Sequence, residues 1–201
     1  MTFPNFFRAA PVISVRDPLM AFLGTGDGIV QYGYADVVKL AGHSCPTVAG
    51  AFLMVRAGLA ALYDADIPER GGVRLRFPDA ASEGVTGVMA AVAGLVTGAR
   101  GDDGFKGLAG RFSRAGLLDF GAEVGGTMAI ERLDDGRRAE VTYDPSVVPP
   151  APAMRMLLDK VLSGTGSDDD RQAFGALWQE RVRRIVVDHA DDERMVSVRL
   201  S

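Results

Sequence analysis

The reactive side chains of this sequence are scarce, and two of them sit almost together. The chain has 201 residues, one cysteine and two histidines. Cys45 follows His43 by two positions in Gly42-His43-Ser44-Cys45-Pro46. Proline suits the first turn of a helix, where its missing N–H costs nothing, so Pro46 marks Cys45 as the N-cap residue. A thiol at that position faces unpaired backbone N–H groups and the positive end of the helix dipole, and both favour the thiolate. His43 could stabilise that thiolate, ligate the same metal ion, or accept its proton. The plain alternative is a cysteine acting as a small buried hydrophobe beside a histidine satisfied by its neighbours.

A second candidate lies downstream. The glycine-rich loop Thr97–Gly107 is followed by Arg111-Phe112-Ser113-Arg114. Its backbone amides, with Lys106, Arg111 and Arg114, could hold the carboxylate or phosphate of a small anionic ligand or redox cofactor. The loop matches no P-loop or dinucleotide fingerprint, and its alternative is a solvated loop with strand-edge arginines. Asp36, Asp102 and Asp103 are further oxygen donors, and His189 stands in an acidic loop with Asp188, Asp191 and Asp192. All of these read first as solvated side chains.

Composition narrows the field. A net charge of -4 and a pI near 5.2 argue against binding a nucleic-acid backbone, which needs clustered excess Lys and Arg. One cysteine forms no internal disulfide. One cysteine and two histidines supply at most three soft ligands, short of the four of a closed zinc site. Arg8, Pro11, Arg16, Asp17 and Pro18 interrupt any secretory-type apolar stretch near the start. Val48–Leu62 and Val85–Val96 are too short or too interrupted for the roughly 20 consecutive apolar residues of a membrane span. The expectation is a cytoplasmic protein with no membrane and no nucleic-acid partner.

The elements that must position these residues are legible in part. Residues 1–30 read as an irregular arm with a short apolar piece at Leu19–Leu23. A short helix is expected over Tyr34–Leu40, and the strongest helix runs from Pro46 toward Asp64, with apolar and small residues at helical spacing. Val73–Phe77 alternates apolar and basic residues and predicts a half-buried strand. A second helix is expected over Glu83–Val96. Ala109–Arg114, Thr127–Leu133 and Arg138–Tyr143 are strand candidates, the last two joined by Asp134-Asp135-Gly136, a hairpin signal. Val147–Pro152 marks a linker and Met154–Leu162 a third helix. Ser167 caps a helix running to about Arg184, with Asp168, Asp169 and Asp170 in its first turn. Ile185–Val187 and Met195–Leu200 could pair across the loop between them. The two long helices carry glycines that cost up to about 1 kcal/mol each relative to alanine, which close packing would offset.

Gly42-His43-Ser44-Cys45-Pro46, flowing into a small-residue helix, resembles the FmdE family, named for its association with formylmethanofuran dehydrogenase, which carries His-Gly-His-x-Cys-Pro-Gly there. Thr97-Gly98 stands where the family has Thr-Gly-Cys. The loop Gly104-Phe105-Lys106-Gly107 and paired strands ending near Tyr143 follow in the family's order, and the likeness covers roughly residues 30–162. Here the family's first histidine is Ala41, its last glycine is Thr47 and the cysteine of Thr-Gly-Cys is Ala99. The cysteine-rich tail of many members is absent.

The helix–strand order and this resemblance together predict an α+β fold. A mixed sheet is covered on one face by the two small-residue-rich helices (FwdE/GAPDH-domain-like). The expected organisation is an arm (1–30), an FmdE-like domain (31–162) and a C-terminal helix and strand extension (163–201). The resemblance implies metal binding through His43 and Cys45, with zinc or another divalent metal as the ion. The site is then open, completed by a partner, or degenerate. It does not carry over formylmethanofuran oxidation, whose catalytic cofactor belongs to other polypeptides. Two other readings stand beside it: an enzyme using Cys45 as thiolate nucleophile with His43, or a module binding a small anionic ligand or redox cofactor. An open sheet edge and glycine-rich helices suggest a homodimer.

Overall fold

The computed structural model describes residues 2–201. The expected irregular arm holds regular structure instead. β1 (Ile13–Arg16) and β2 (Ile29–Tyr32) pair antiparallel, and α1 (Pro18–Phe22) lies between them. Ile13 and Val15 are buried while Ser14 and Arg16 are not, a period of two too short to stand out by alternation alone. Asp17 caps α1, accepting from the N–H groups of Leu19 and Met20.

The central helices follow. α2 (Tyr34–Ala41) ends at Gly42, whose φ of +75° closes the helix in the left-handed region. α3 (Pro46–Tyr63) starts at Cys45, which is its N-cap as the Cys-Pro pair predicts. β3 (Val73–Arg76) leads into α4 (Thr86–Thr97), which begins three residues later than expected. Glu83 and Val85 lie in tight turns just before it.

The sheet has the order β4-β3-β5-β6-β7, with β4 (Leu118–Asp119), β5 (Met128–Arg132), β6 (Arg138–Tyr143) and β7 (Val196–Leu200). β3 and β4 are parallel across the α4 crossover and every other pair is antiparallel. The sheet is therefore mixed and the fold is α+β. Val73, Leu75, Met128, Ile130, Ala139 and Val141 are buried. α3 lies against β5, β6 and β7, and α4 against β3 and α3. Charged neighbours in the alternation, including the pair Arg76–Glu131 at 3.1 Å, remain partly exposed. Gly136, at φ +75°, turns β5 into β6.

Two strand expectations fail. Ala109–Arg114 is a turn: Leu108 and Arg111 exchange backbone hydrogen bonds of 2.8 and 2.9 Å. Ala109 and Gly110 have φ of +48° and +78°, the two positive angles of a tight reversal. Alanine at the first of them hides the signal. The strand beside β3 is the two-residue β4. Ile185–Val187 does not pair with the C-terminal strand either. It belongs to a π-helical turn, Arg184–Asp188, continuing α6 (Asp168–Arg183), which packs on α5 (Met154–Leu162). Ile185 and Val186 are buried, and a three-residue apolar run has no period that tells helix from strand. β7 instead completes the sheet as the edge beside β6.

The glycines inside α3 are spent on packing. A β-carbon on Gly50 would stand 2.3 Å from the Tyr143 ring, and one on Gly58 2.7 Å from Ile130. The helix thus approaches the sheet closely enough to offset the propensity cost. α3 is long and apolar enough to cross a membrane by length and composition, but 67% of it is buried inside the fold.

Candidate functional site

His43 and Cys45 come together on one groove of about 460 Å³ at the start of α3. Pro46, Thr47, Val85, Val88, Tyr143, Pro145, Trp178 and Arg181 line it with them. Cys45 is 8% exposed, and its Sγ accepts a hydrogen bond from the Val48 N–H at 3.4 Å. One orphan donor of the helix start is thereby satisfied by sulfur. His43 is exposed, and its Nδ1 lies 2.9 Å from the Ala41 carbonyl. A carbonyl only accepts, so Nδ1 carries the proton and the neutral ring keeps its lone pair on Nε2. No hydrogen bond joins His43 to Cys45 among the described residues.

The remaining wall comes from far along the chain. Trp178 and Gln179 of α6 donate to the Ser44 carbonyl at 2.9 and 3.3 Å, clamping the residue between His43 and Cys45. The Tyr143 hydroxyl donates to the Pro46 carbonyl at 2.9 Å. Burial pushes the Tyr143 hydroxyl above the usual phenol range, with Arg181 opposing. Arg181 is turned to the Val148 and Pro145 carbonyls. Sequence spacing gives no sign of Tyr143, Trp178 or Arg181, because each reaches Cys45 only through the sheet or the α6 packing.

The candidate anion residues do not gather here. Val85 and Val88, at the start of α4, line the Cys45 groove, whereas the loop leaves the end of α4. That is roughly 14 Å further on at 1.5 Å per residue. Arg111 and Arg114 line a second groove there, of about 550 Å³, with Pro18, Glu69, Arg70, Gly71, Phe112, Ser113, Leu117 and Leu133. Lys106 is exposed and is not among its lining residues. The groove is organised by an ion cluster. Asp17, 2% exposed, accepts from Arg70 at 2.8 Å and from Arg114 at 2.9 Å. Burial pushes the Asp17 carboxyl up, but hydrogen bonds from Arg70 and Met20 and the charge of Arg114 outweigh it, holding the group below its ordinary value. Burial likewise pulls the Arg114 guanidinium down, against Asp17.

The other donors lie outside the residues lining the two grooves. Asp36 accepts from the Gly33 N–H and pairs with Lys39. Asp103 pairs with Arg100, and Asp102 is exposed. His189 Nδ1 meets Asp192 at 2.9 Å and Asp191 meets Arg56 at 2.6 Å. Among the described residues no group of three or more His, Cys, Asp and Glu is placed to hold a metal. Ala41 touches His43, but Ala99 lies at the far end of α4 beside Arg114: the Arg100 N–H donates to the Arg114 carbonyl at 2.9 Å. A ligand at position 99 would therefore not meet Cys45 within one chain. Two donors by themselves do not close a tetrahedral zinc site.

Comparison of the chain with models of known protein families returned no match, and comparison with curated proteins returned none either.

Proposed function

We propose that this is an FmdE-like metal-binding protein in which His43 Nε2 and Cys45 Sγ are two ligands of an open site for zinc or another soft divalent ion. The observation that carries this reading is the orientation of His43. A metal-ligating imidazole characteristically donates its other ring N–H to a carbonyl or carboxylate, and His43 does so toward Ala41 while Nε2 stays free. Thiolate and imidazole are the donors such an ion prefers. The rest of the coordination comes from outside the chain, from a bound ligand or from a second copy in a cytoplasmic homodimer. The reading in which Cys45 attacks an electrophile with His43 as base needs the two side chains in hydrogen-bond reach, and the contact of His43 with Ala41 favours the metal reading over it.

Metal analysis and X-ray absorption on protein purified without a histidine tag test this. The expected result is a divalent ion with one sulfur and one nitrogen donor per chain, lost in Cys45→Ser and His43→Ala. No metal in the wild type, or equal metal in Cys45→Ser, overturns it. Light scattering that returns a single 21.3 kDa species removes the second copy as the source of the missing ligands.

A further inference from the structure

The groove at the far end of α4 holds a guanidinium with unspent hydrogen bonds. Arg114 is 6% exposed, with one nitrogen on Asp17. Its Nη1 is buried and has no hydrogen-bond partner. Two glycines make room for it: a β-carbon on Gly71 would stand 2.0 Å from Nη1, and one on Gly98 2.9 Å. Both have positive φ, +85° and +76°, so each turn favours the residue type that also clears the space. A buried donor left without a partner keeps its full desolvation penalty, which is larger when the group is charged.

The charges around it do not balance. Asp17 is shared by Arg70 and Arg114. Glu69, the carboxylate that lines the groove, is paired with Arg16 at 3.0 Å. Arg111 is exposed, lines the groove and stacks on the Phe112 ring at 4.8 Å. Three arginines, Arg70, Arg111 and Arg114, thus line the groove with one carboxylate, Glu69, beside apolar walls from Pro18, Leu117 and Leu133. The volume is within the range of ligand pockets, about 300–1,000 Å³.

We propose that this groove binds a small oxyanion, the carboxylate or phosphate of a ligand whose apolar part rests on Pro18, Leu117 and Leu133. Arg114 Nη1 and the Arg111 guanidinium donate to its oxygens. The site is separate from the Cys45 groove and does not depend on a metal there.

Titration of the full chain with inorganic phosphate, phenyl phosphate and benzoate, read by arginine side-chain NMR signals, tests it. The expected result is saturable movement of the Arg114 and Arg111 signals, with phenyl phosphate tighter than inorganic phosphate. Arg111→Ala, an exposed change that leaves the Asp17 cluster intact, should weaken binding about tenfold, the worth of one charged hydrogen bond. Response to benzoate alone names a carboxylate ligand and response to the phosphates alone a phosphate; either supports the site. Arg114 signals unmoved by all three probes, or binding unchanged in Arg111→Ala, overturn it.

Discussion

The two ends of the α3–α4 pair have opposite chemistry. At their starts the groove is mostly apolar and holds a thiol and an imidazole, with sulfur accepting from a free helix N–H. At their ends the partners are arginines. Arg132 donates to the Leu62 carbonyl near the end of α3 at 3.1 Å, and Arg70 donates to the Leu95 carbonyl near the end of α4 at 3.1 Å. Helix starts present donors and partial positive charge; helix ends present acceptors and partial negative charge. With two helices aligned, that polarity doubles, and it sorts the electron-rich sulfur to one end and the cations to the other. The two grooves on one helix pair therefore present different side chains, a thiol and an imidazole at the starts and guanidinium groups at the ends.

The largest expected effect is at the arginine end. Arg114→Met leaves Asp17 buried with one cation, and breaking such a pair costs about 3–5 kcal/mol, read as the urea midpoint. A loss below about 1 kcal/mol would mean that the cluster does not hold this end together. At the thiol end, Gly50→Ala drives a methyl into the Tyr143 ring. Overpacking of this kind costs about 1–3 kcal/mol. In a double-mutant cycle with Tyr143→Leu the penalty should shrink, and full additivity would show that the ring is not the obstacle.

Acid should separate the two ends more gently. The Asp17 carboxyl is held below its ordinary value, so its contribution is present above the unfolded value of about 3.9. It is lost as pH falls through the lower folded value. The stability gap between wild type and Asp17→Asn is expected to narrow below about pH 4, whereas a constant gap would assign the effect to packing. The smallest change is Cys45→Ser. Serine is a preferred N-cap, so stability should move by less than about 1 kcal/mol. Any loss of metal in this variant then reports the ligand and not the fold; a large destabilisation would make Cys45 a core residue first.

Much of the scaffold is legible in short stretches. Cys45-Pro46, Ser167 with Asp170, and Asp135-Gly136 each encode a cap or turn within four residues, and the helix and hairpin they imply are present. The failures fall where local signal is ambiguous or absent: a left-handed Ala109, a three-residue apolar run at 185–187, and ribbon strands four residues long. For the site, His43 and Cys45 are readable as a pair; of the three cations read as possible anion donors, Arg111 and Arg114 line one groove and Lys106 does not. Asp17 is not, because its partner Arg114 is 97 positions away, and Trp178 is 134 from Ser44.

By itself, then, the sequence determined what adjacent residues decide: which helix starts at a thiol, where the chain turns, and which faces are apolar. Only the tertiary structure decided that position 99 lies at the opposite end of α4 from the Cys45 groove, that one carboxylate is shared by two arginines, and that β7 forms the sheet edge beside β6. The physical reason is range. Caps and turns are set by hydrogen bonds between near neighbours. Ion clusters and grooves depend on the order in which strands and helices pack, which no local spacing records.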